Sequence, residues 1–104
     1  MDTLKSRKEF LALREAKFYK SHFFIAQYEK NNSQKFLYGL TVSKKNGNAV
    51  KRNFIKRRLR EAVRLTFKKH PKTSVKLNFI PRYTLADCTF EHLLTETERF
   101  FKTL

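Results

Sequence analysis

The chain is poor in the residues that build reactive sites. Its one cysteine, Cys88, excludes an internal disulfide and fits a reducing compartment, where a small, partly buried side chain is its ordinary role. Two glycines, Gly39 and Gly47, are too few for a glycine-rich phosphate loop. His22, His70 and His92 lie far apart, and none has cysteine or carboxylate neighbours at metal-ligand spacing. The nine acids are scattered, so no carboxylate pair suggests a metal site or an acid–base couple. No apolar run approaches the ~18 residues of a membrane span, and Met1-Asp2-Thr3-Leu4-Lys5-Ser6 leads into no signal-peptide core. These absences make the expectation a soluble, cytoplasmic binding module with no catalytic side chain, no metal site and no membrane partner.

What is abundant is positive charge. Lysine and arginine number 24 against nine acids, for a net charge of +15 and a pI near 10.3. That balance points to nucleic acid, with an anionic membrane surface as the weaker option. At 104 residues, 40% hydrophobic and 32% charged, the chain reads as a single globular domain over 1–104. The charge is focused: residues 44–69 hold eleven lysines and arginines against one acid, Glu61, and so carry ten of the fifteen net charges.

Wound at 3.6 residues per turn, that segment puts Ile55, Leu59, Ala62, Val63 and Thr66 on one apolar face. The opposite face gathers Asn53, Lys56, Arg57, Arg60 and Arg64, with Arg58 and Lys68 on the flanks. Like charges four apart, such as Lys56/Arg60 and Arg60/Arg64, cost roughly 0.2–0.5 kcal/mol per pair in an isolated helix. A ridge that opposes its own folding implies an anionic partner, whereas a merely solvated helix face normally mixes both signs.

The remaining elements follow in order. Ser6-Arg7-Lys8-Glu9 has the form of a capping box and starts a first helix that carries Phe10 and Leu13 on one side and ends before Phe18. Residues 18–28 are aromatic and β-prone, with Phe23, Ile25 and Gln27 alternating with Phe24, Ala26 and Tyr28. Apolar groups on both faces predict a strand covered on both sides, by the core and by the first helix or a ligand. Residues 29–35 then read as a polar hairpin loop and residues 36–43 as the return strand. Gly47 permits a sharp turn, Asn48 is an N-cap, and Pro71 stops the basic helix. Val75, Leu77 and Phe79 alternate with Lys76 and Asn78 in a last strand ended by Pro81. Phe90, Leu93, Leu94, Thr97, Phe101 and Leu104 make a closing amphipathic helix. The fold expected is an α+β sandwich of order αβββαβα, its first β segment being the short Lys17–Lys20 piece.

One stretch carries more than composition. Gly39-Leu40-Thr41-Val42-Ser43-Lys44-Lys45, then Gly47-Asn48-Ala49-Val50, Arg52-Asn53, Lys56-Arg57 and Arg60-Glu61 resembles, in uninterrupted register, the signature of the bacterial ribonuclease P protein subunit. The resemblance implies a left-handed βαβ crossover through the basic helix, against the usual right-handed rule. It also implies a protein that is a monomer without RNA and binds the catalytic ribonuclease P RNA and the 5′ leader of precursor tRNA. Hydrolysis is then done by the RNA with its Mg²⁺, and the protein binds no cofactor of its own. Matched position by position, Lys44, Lys45, Arg52, Asn53, Lys56, Arg57 and Arg60 would meet the catalytic RNA, with Arg64 continuing their ridge. The leader would lie between the first helix and the sheet, against Phe10, Arg14, Lys17, Phe24 and Tyr28. Three departures stand out: Phe54 replaces an arginine common in the family, and Arg14 and Ala26 occupy two aromatic positions. Phe10, Phe24 and Tyr28 fit a packing role equally well.

A ribosomal-type RNA-binding protein shares the charge, size and fold class, and only the continuous 39–64 match separates it. A DNA-reading domain would present base-reading side chains on a protruding helix, which the full apolar face here argues against, so no DNA partner is expected. A membrane-surface helix would need its apolar stripe free of the core.

Overall fold

The computed structural model describes residues 2–30 and 35–104 as three α-helices packed on one mixed β-sheet. The strands are β1 (Asp2–Thr3), β2 (Lys17–Lys20), β3 (Phe24–Lys30), β4 (Phe36–Leu40) and β5 (Val75–Pro81), in the spatial order β1-β4-β5-β3-β2. The helices are α1 (Arg7–Ala12), α2 (Ala49–Lys69) and α3 (Phe90–Phe101). The αβββαβα order is present, preceded by the two-residue edge strand β1, which is too short to leave a periodic signal.

β5 takes the centre of the sheet because it alternates least: Val75, Leu77, Asn78, Phe79 and Pro81 are all buried, so both of its faces are covered. It pairs antiparallel with β3 and parallel with β4, and β4 reaches β5 through α2, which makes the parallel crossover. This corrects the expected hairpin over residues 29–35. Glu29 and Lys30 belong to β3, β5 lies between β3 and β4, and residues 31–34 fall outside the described part of the chain. The hairpin that does form joins β2 to β3 across Ser21-His22-Phe23. β4 also ends earlier than expected, at Leu40, because Ser43 already caps a short 3-10 turn over Lys44–Asn46.

One face of the sheet presents Phe24 and Ala26 from β3, Phe36 and Tyr38 from β4, and Val75, Leu77 and Phe79 from β5. Onto it α2 lays Ile55, Leu59, Ala62, Val63 and Thr66, the five residues that helical winding assigns to its apolar face. α3 adds Leu93, Thr97, Phe100 and Phe101. Phe100 sits at the centre of an aromatic cluster, with ring centroids 4.8 Å from Tyr19, 5.5 Å from Tyr28, 6.2 Å from Phe24 and 6.0 Å from Phe79. The last three are edge-to-face and the Tyr19 contact is tilted, and ring contacts at these distances add to the burial of the rings themselves.

α1 covers the opposite face. The Ser6 hydroxyl accepts from the Glu9 amide and the Glu9 carboxylate accepts from the Ser6 amide, completing the predicted capping box. The Lys5 amide donates to the same carboxylate, and together the Lys5 and Ser6 amides hold the Glu9 carboxyl below its ordinary pKa. The helix is shorter than expected: after Ala12 it tightens to a 3-10 turn over Leu13–Glu15, which drives Leu13 into the sheet at 1% exposure. Gly39 fixes how close α1 approaches, since a Cβ there would stand 2.4 Å from the Phe10 ring. Gly39→Ala should therefore cost about 1–3 kcal/mol of stability by overpacking. In a Phe10→Ala background the same change should cost much less. Chemical unfolding of the four proteins checks this, and equal costs in both backgrounds would show that ring and strand are not in contact.

Candidate nucleic-acid interface

The basic helix begins where the chain can turn sharply. Gly47 has φ of 114°, a left-handed-side conformation that favours glycine, and Asn48 follows as N-cap with its side chain accepting from the Lys51 amide at 2.9 Å. With one face of α2 committed to the sheet, Lys44, Lys45, Asn53, Arg57, Arg60 and Arg64 are exposed, and Arg52 and Lys56 are half-buried. Among the described residues the ion pairs are Glu61–Arg64, Glu98–Lys69 and Glu96–Arg99. Of the seven cations expected to meet an RNA partner, only Arg64 is thus paired with an acid among the described residues. Its Nε donates to Glu61 at 3.0 Å and Nη2 completes the fork, holding the Glu61 carboxyl below its ordinary pKa. Burial pushes the Tyr38 phenol up, and the positive charge of Arg60 opposes that push.

Arg58 does something different from its neighbours. Its Nη1 donates to the Cys88 carbonyl at 2.7 Å, and its guanidinium carbon lies 5.0 Å from the centre of the Phe54 ring. It ties α2 to the turn before α3 and is not free to bind a ligand as a loose cation. Cys88 itself donates its thiol to the Leu85 carbonyl, and burial raises its pKa, so it is an unreactive packing thiol.

On the other side of the sheet a cleft of about 580 Å³ lies between α1 and the strands, lined by Lys5, Ser6, Arg7, Phe10, Leu11, Arg14, Gln27, Thr41, Asn78 and Ile80. Its floor is a polar relay: Thr41 Oγ1 donates to Asn78 Oδ1 at 3.0 Å, and Asn78 Nδ2 donates to Gln27 Oε1 at 3.4 Å. Its wall offers the half-buried Phe10 beside the exposed cations Arg7 and Arg14. Cations, one aromatic ring and polar side chains at the base are the groups that grip a single strand, by phosphate contact, stacking and edge hydrogen bonds respectively.

The structure divides the five residues expected in this cleft. Phe10 and Arg14 line it. Lys17 and Tyr28 border a separate recess with Ala12, Glu15, Ala16, Glu29 and Lys30. Phe24 is a correction: at 0% exposure, edge-to-face on Phe79 and Phe100, it belongs to the core on the far side of the sheet. The physical reason is strand alternation. Phe24, Ala26 and Tyr28 share the face that α2 and α3 cover, and it is Ile25 and Gln27 that point toward α1.

The family model described as Ribonuclease P matches residues 1–104. The chain belongs to the ribonuclease P protein family. It is 39% identical over 98 residues to the ribonuclease P protein component of Gluconacetobacter diazotrophicus, covering 92% of this chain and 84% of that one. With the component from Bartonella quintana it shares 31% over 106 residues, covering 95% and 80%. With that from Finegoldia magna it shares 38% over 76 residues, 73% of this chain but only 65% of the relative. Among solved structures, the RNase P protein of Staphylococcus aureus superposes with TM-score 0.78 at 28% identity, over 97% of this chain and 93% of that one. The RNase P protein of Thermotoga maritima superposes with TM-score 0.81 at 24% identity, over 98% and 96%, which speaks for the fold. Membership in this family makes RNA the partner class. Among the described residues no helix is long and apolar enough to cross a membrane, and no group of three or more His, Cys, Asp or Glu is placed to hold a metal.

Gln27, Thr41 and Asn78 escaped the sequence reading. Asn78 alternates with the apolar residues of β5 just as Lys76 does, like an ordinary solvent-facing position, and its partner Gln27 becomes visible only once β3 and β5 are known to be neighbours with these two residues in register. The two kinds of arginine on α2 should separate in stability. Arg58→Ala should lose about 1–2 kcal/mol, since it strips a charged donor from the Cys88 carbonyl. Arg57→Ala and Arg60→Ala, at exposed positions, should stay within about 0.5 kcal/mol of wild type. Urea unfolding distinguishes the two outcomes.

Proposed function

We propose that this chain is the protein subunit of a ribonuclease P ribonucleoprotein, an endoribonuclease that removes the 5′ leader of precursor tRNA. In this reading it binds two RNAs at once. The exposed face of Lys44, Lys45, Arg52, Asn53, Lys56, Arg57, Arg60 and Arg64 meets the catalytic RNA, and the α1 cleft with Phe10 and Arg14 receives the leader. The observation that carries it is a basic ridge almost without internal counter-charge, in a chain matched to the family along its whole length.

The chemistry assigned to the protein is electrostatic and positional. Arginine forks suit bidentate phosphate contact, and Asn53 can accept or donate to a phosphate, a base edge or hydrated metal. Lysines and arginines between two polyanions offset a repulsion that Mg²⁺ would otherwise have to screen alone, so substrate affinity rises and the Mg²⁺ requirement falls. Bond cleavage is assigned to the RNA subunit, which uses Mg²⁺. Without RNA the protein is a monomer, acting in the cytoplasm.

Reconstitution with a bacterial ribonuclease P RNA tests this. Precursor-tRNA cleavage at low Mg²⁺ should be stimulated by the protein, and the protein freed of RNA should cleave nothing. Each of Arg57→Ala and Arg60→Ala should weaken binding to the RNA and flatten the slope of log affinity against log salt by about 0.7–0.9. Wild-type slopes in both variants would make the ridge a solvated surface. For the cleft, Phe10→Ala should lose about 1–3 kcal/mol of affinity for precursor with a long leader, the worth of one stacked base, and none for mature tRNA. An equal loss for both, with a lowered melting temperature, would place Phe10 in packing alone.

A further inference from the structure

One feature of α2 is not used by a purely ionic interface. Phe54 stands on the charged side of the helix with 39% of its surface exposed, and with Arg57, Arg58, Glu61 and Phe90 it lines an apolar notch of about 330 Å³. We infer that this notch seats one unpaired nucleobase of the RNA that binds the ridge, stacked on Phe54; the inference rests on the function proposed above.

The notch is held in shape from behind. Arg58 lies over the Phe54 ring at 5.0 Å and is itself fixed by donation to the Cys88 carbonyl at 2.7 Å, so the ring and the guanidinium form one stacked unit. Phe90 is the first residue of α3, whose N-cap Thr89 accepts from the His92 amide, and this fixes the far wall relative to Arg58. The acid at the rim, Glu61, is taken up by the Arg64 fork, which removes the charge that would repel a nucleotide. Arg57, exposed and without an ion pair among the described residues, is left at the edge.

Charge decides what fits. An apolar peptide segment entering here would have to cover Arg57 and Arg58 without compensating them. A nucleotide brings both complements: a π-face for the Phe54–Arg58 stack and a phosphate for Arg57. A base inside a duplex has its faces already covered, so the occupant is a bulged, looped or single-stranded nucleotide.

The test uses the intact protein and a bacterial ribonuclease P RNA. Phe54→Ala should bind roughly 5- to 150-fold more weakly, the equivalent of one lost base–aromatic stack, with an unchanged salt slope because no phosphate contact is removed. Phe54→Leu, apolar but without a π-face, should be weakened nearly as much, and Phe54→Trp should bind at least as well as wild type. All three should remain folded, with at most a small drop in melting temperature from the lost Phe54–Arg58 contact, because Phe54 lies outside the core. A photoreactive phenylalanine analogue at position 54 should crosslink to an unpaired nucleotide. Wild-type affinity in Phe54→Ala or Phe54→Leu, or crosslinks confined to duplex, would overturn the seat. If Arg60→Ala is weakened while Phe54→Ala is not, the ridge stands and the seat alone fails. If the wild-type protein does not bind the RNA at all, the proposed function fails and the seat with it.

Discussion

The seam between α2 and the sheet is the contact on which the rest of the molecule depends. Lys56, Arg57, Arg60, Arg64 and Lys68 repel one another along the helix, at roughly 0.2–0.5 kcal/mol for each neighbouring pair. Against that, Ile55, Leu59 and Val63 are buried to 1% exposure or less, and each contributes about 1.5–3 kcal/mol by leaving water. Burial wins by a wide margin, so the charged face can be held rigid and nearly uncompensated at no risk to the fold. The same seam places β4 and β5 side by side, because α2 is the connection between them.

The sheet serves two surfaces through its two faces. Phe24, Ala26, Leu77 and Phe79 build the core under α2 and α3, while Gln27, Thr41 and Asn78 form a hydrogen-bonded floor under α1. β5 serves both faces, and its near-continuous burial follows from that double duty. Gly39 belongs to the second surface: its missing side chain lets the Phe10 ring rest on β4 and thereby sets the width of the cleft.

Helical periodicity was readable with little loss. The five core residues of α2, its Asn48 cap, the Gly47 turn and the Ser6–Glu9 capping box all follow from local pattern, because each depends on residues within a turn of one another. Strand adjacency was not readable. The polar stretch after Tyr28 looks like a hairpin connection, and nothing local reveals that β5, some 45 residues downstream of β3, comes to lie between β3 and β4. The choice of strand face failed for the same reason. With apolar residues on both sides of β3, only the position of α3, and of Phe100 in particular, places Phe24 in the core and packs Tyr28 against it rather than in the cleft. Arg58 and Arg57 are neighbours of one type in the sequence, and they part company only through the Cys88 carbonyl that Arg58 reaches.

The central claim is that one helix turns an apolar face to the sheet and a basic face to RNA. Backbone and arginine side-chain NMR signals, followed while a bacterial ribonuclease P RNA fragment is titrated into the labelled protein, address it most directly. The account predicts shifts concentrated on Lys44, Lys45, Asn53, Arg57 and Arg60, with Ile55, Leu59 and Val63 moving little and the exposed side of α3 at Glu91 and Thr95 unaffected. Shifts centred on Lys69, Lys72 and Lys102, with the α2 ridge unchanged, would contradict it.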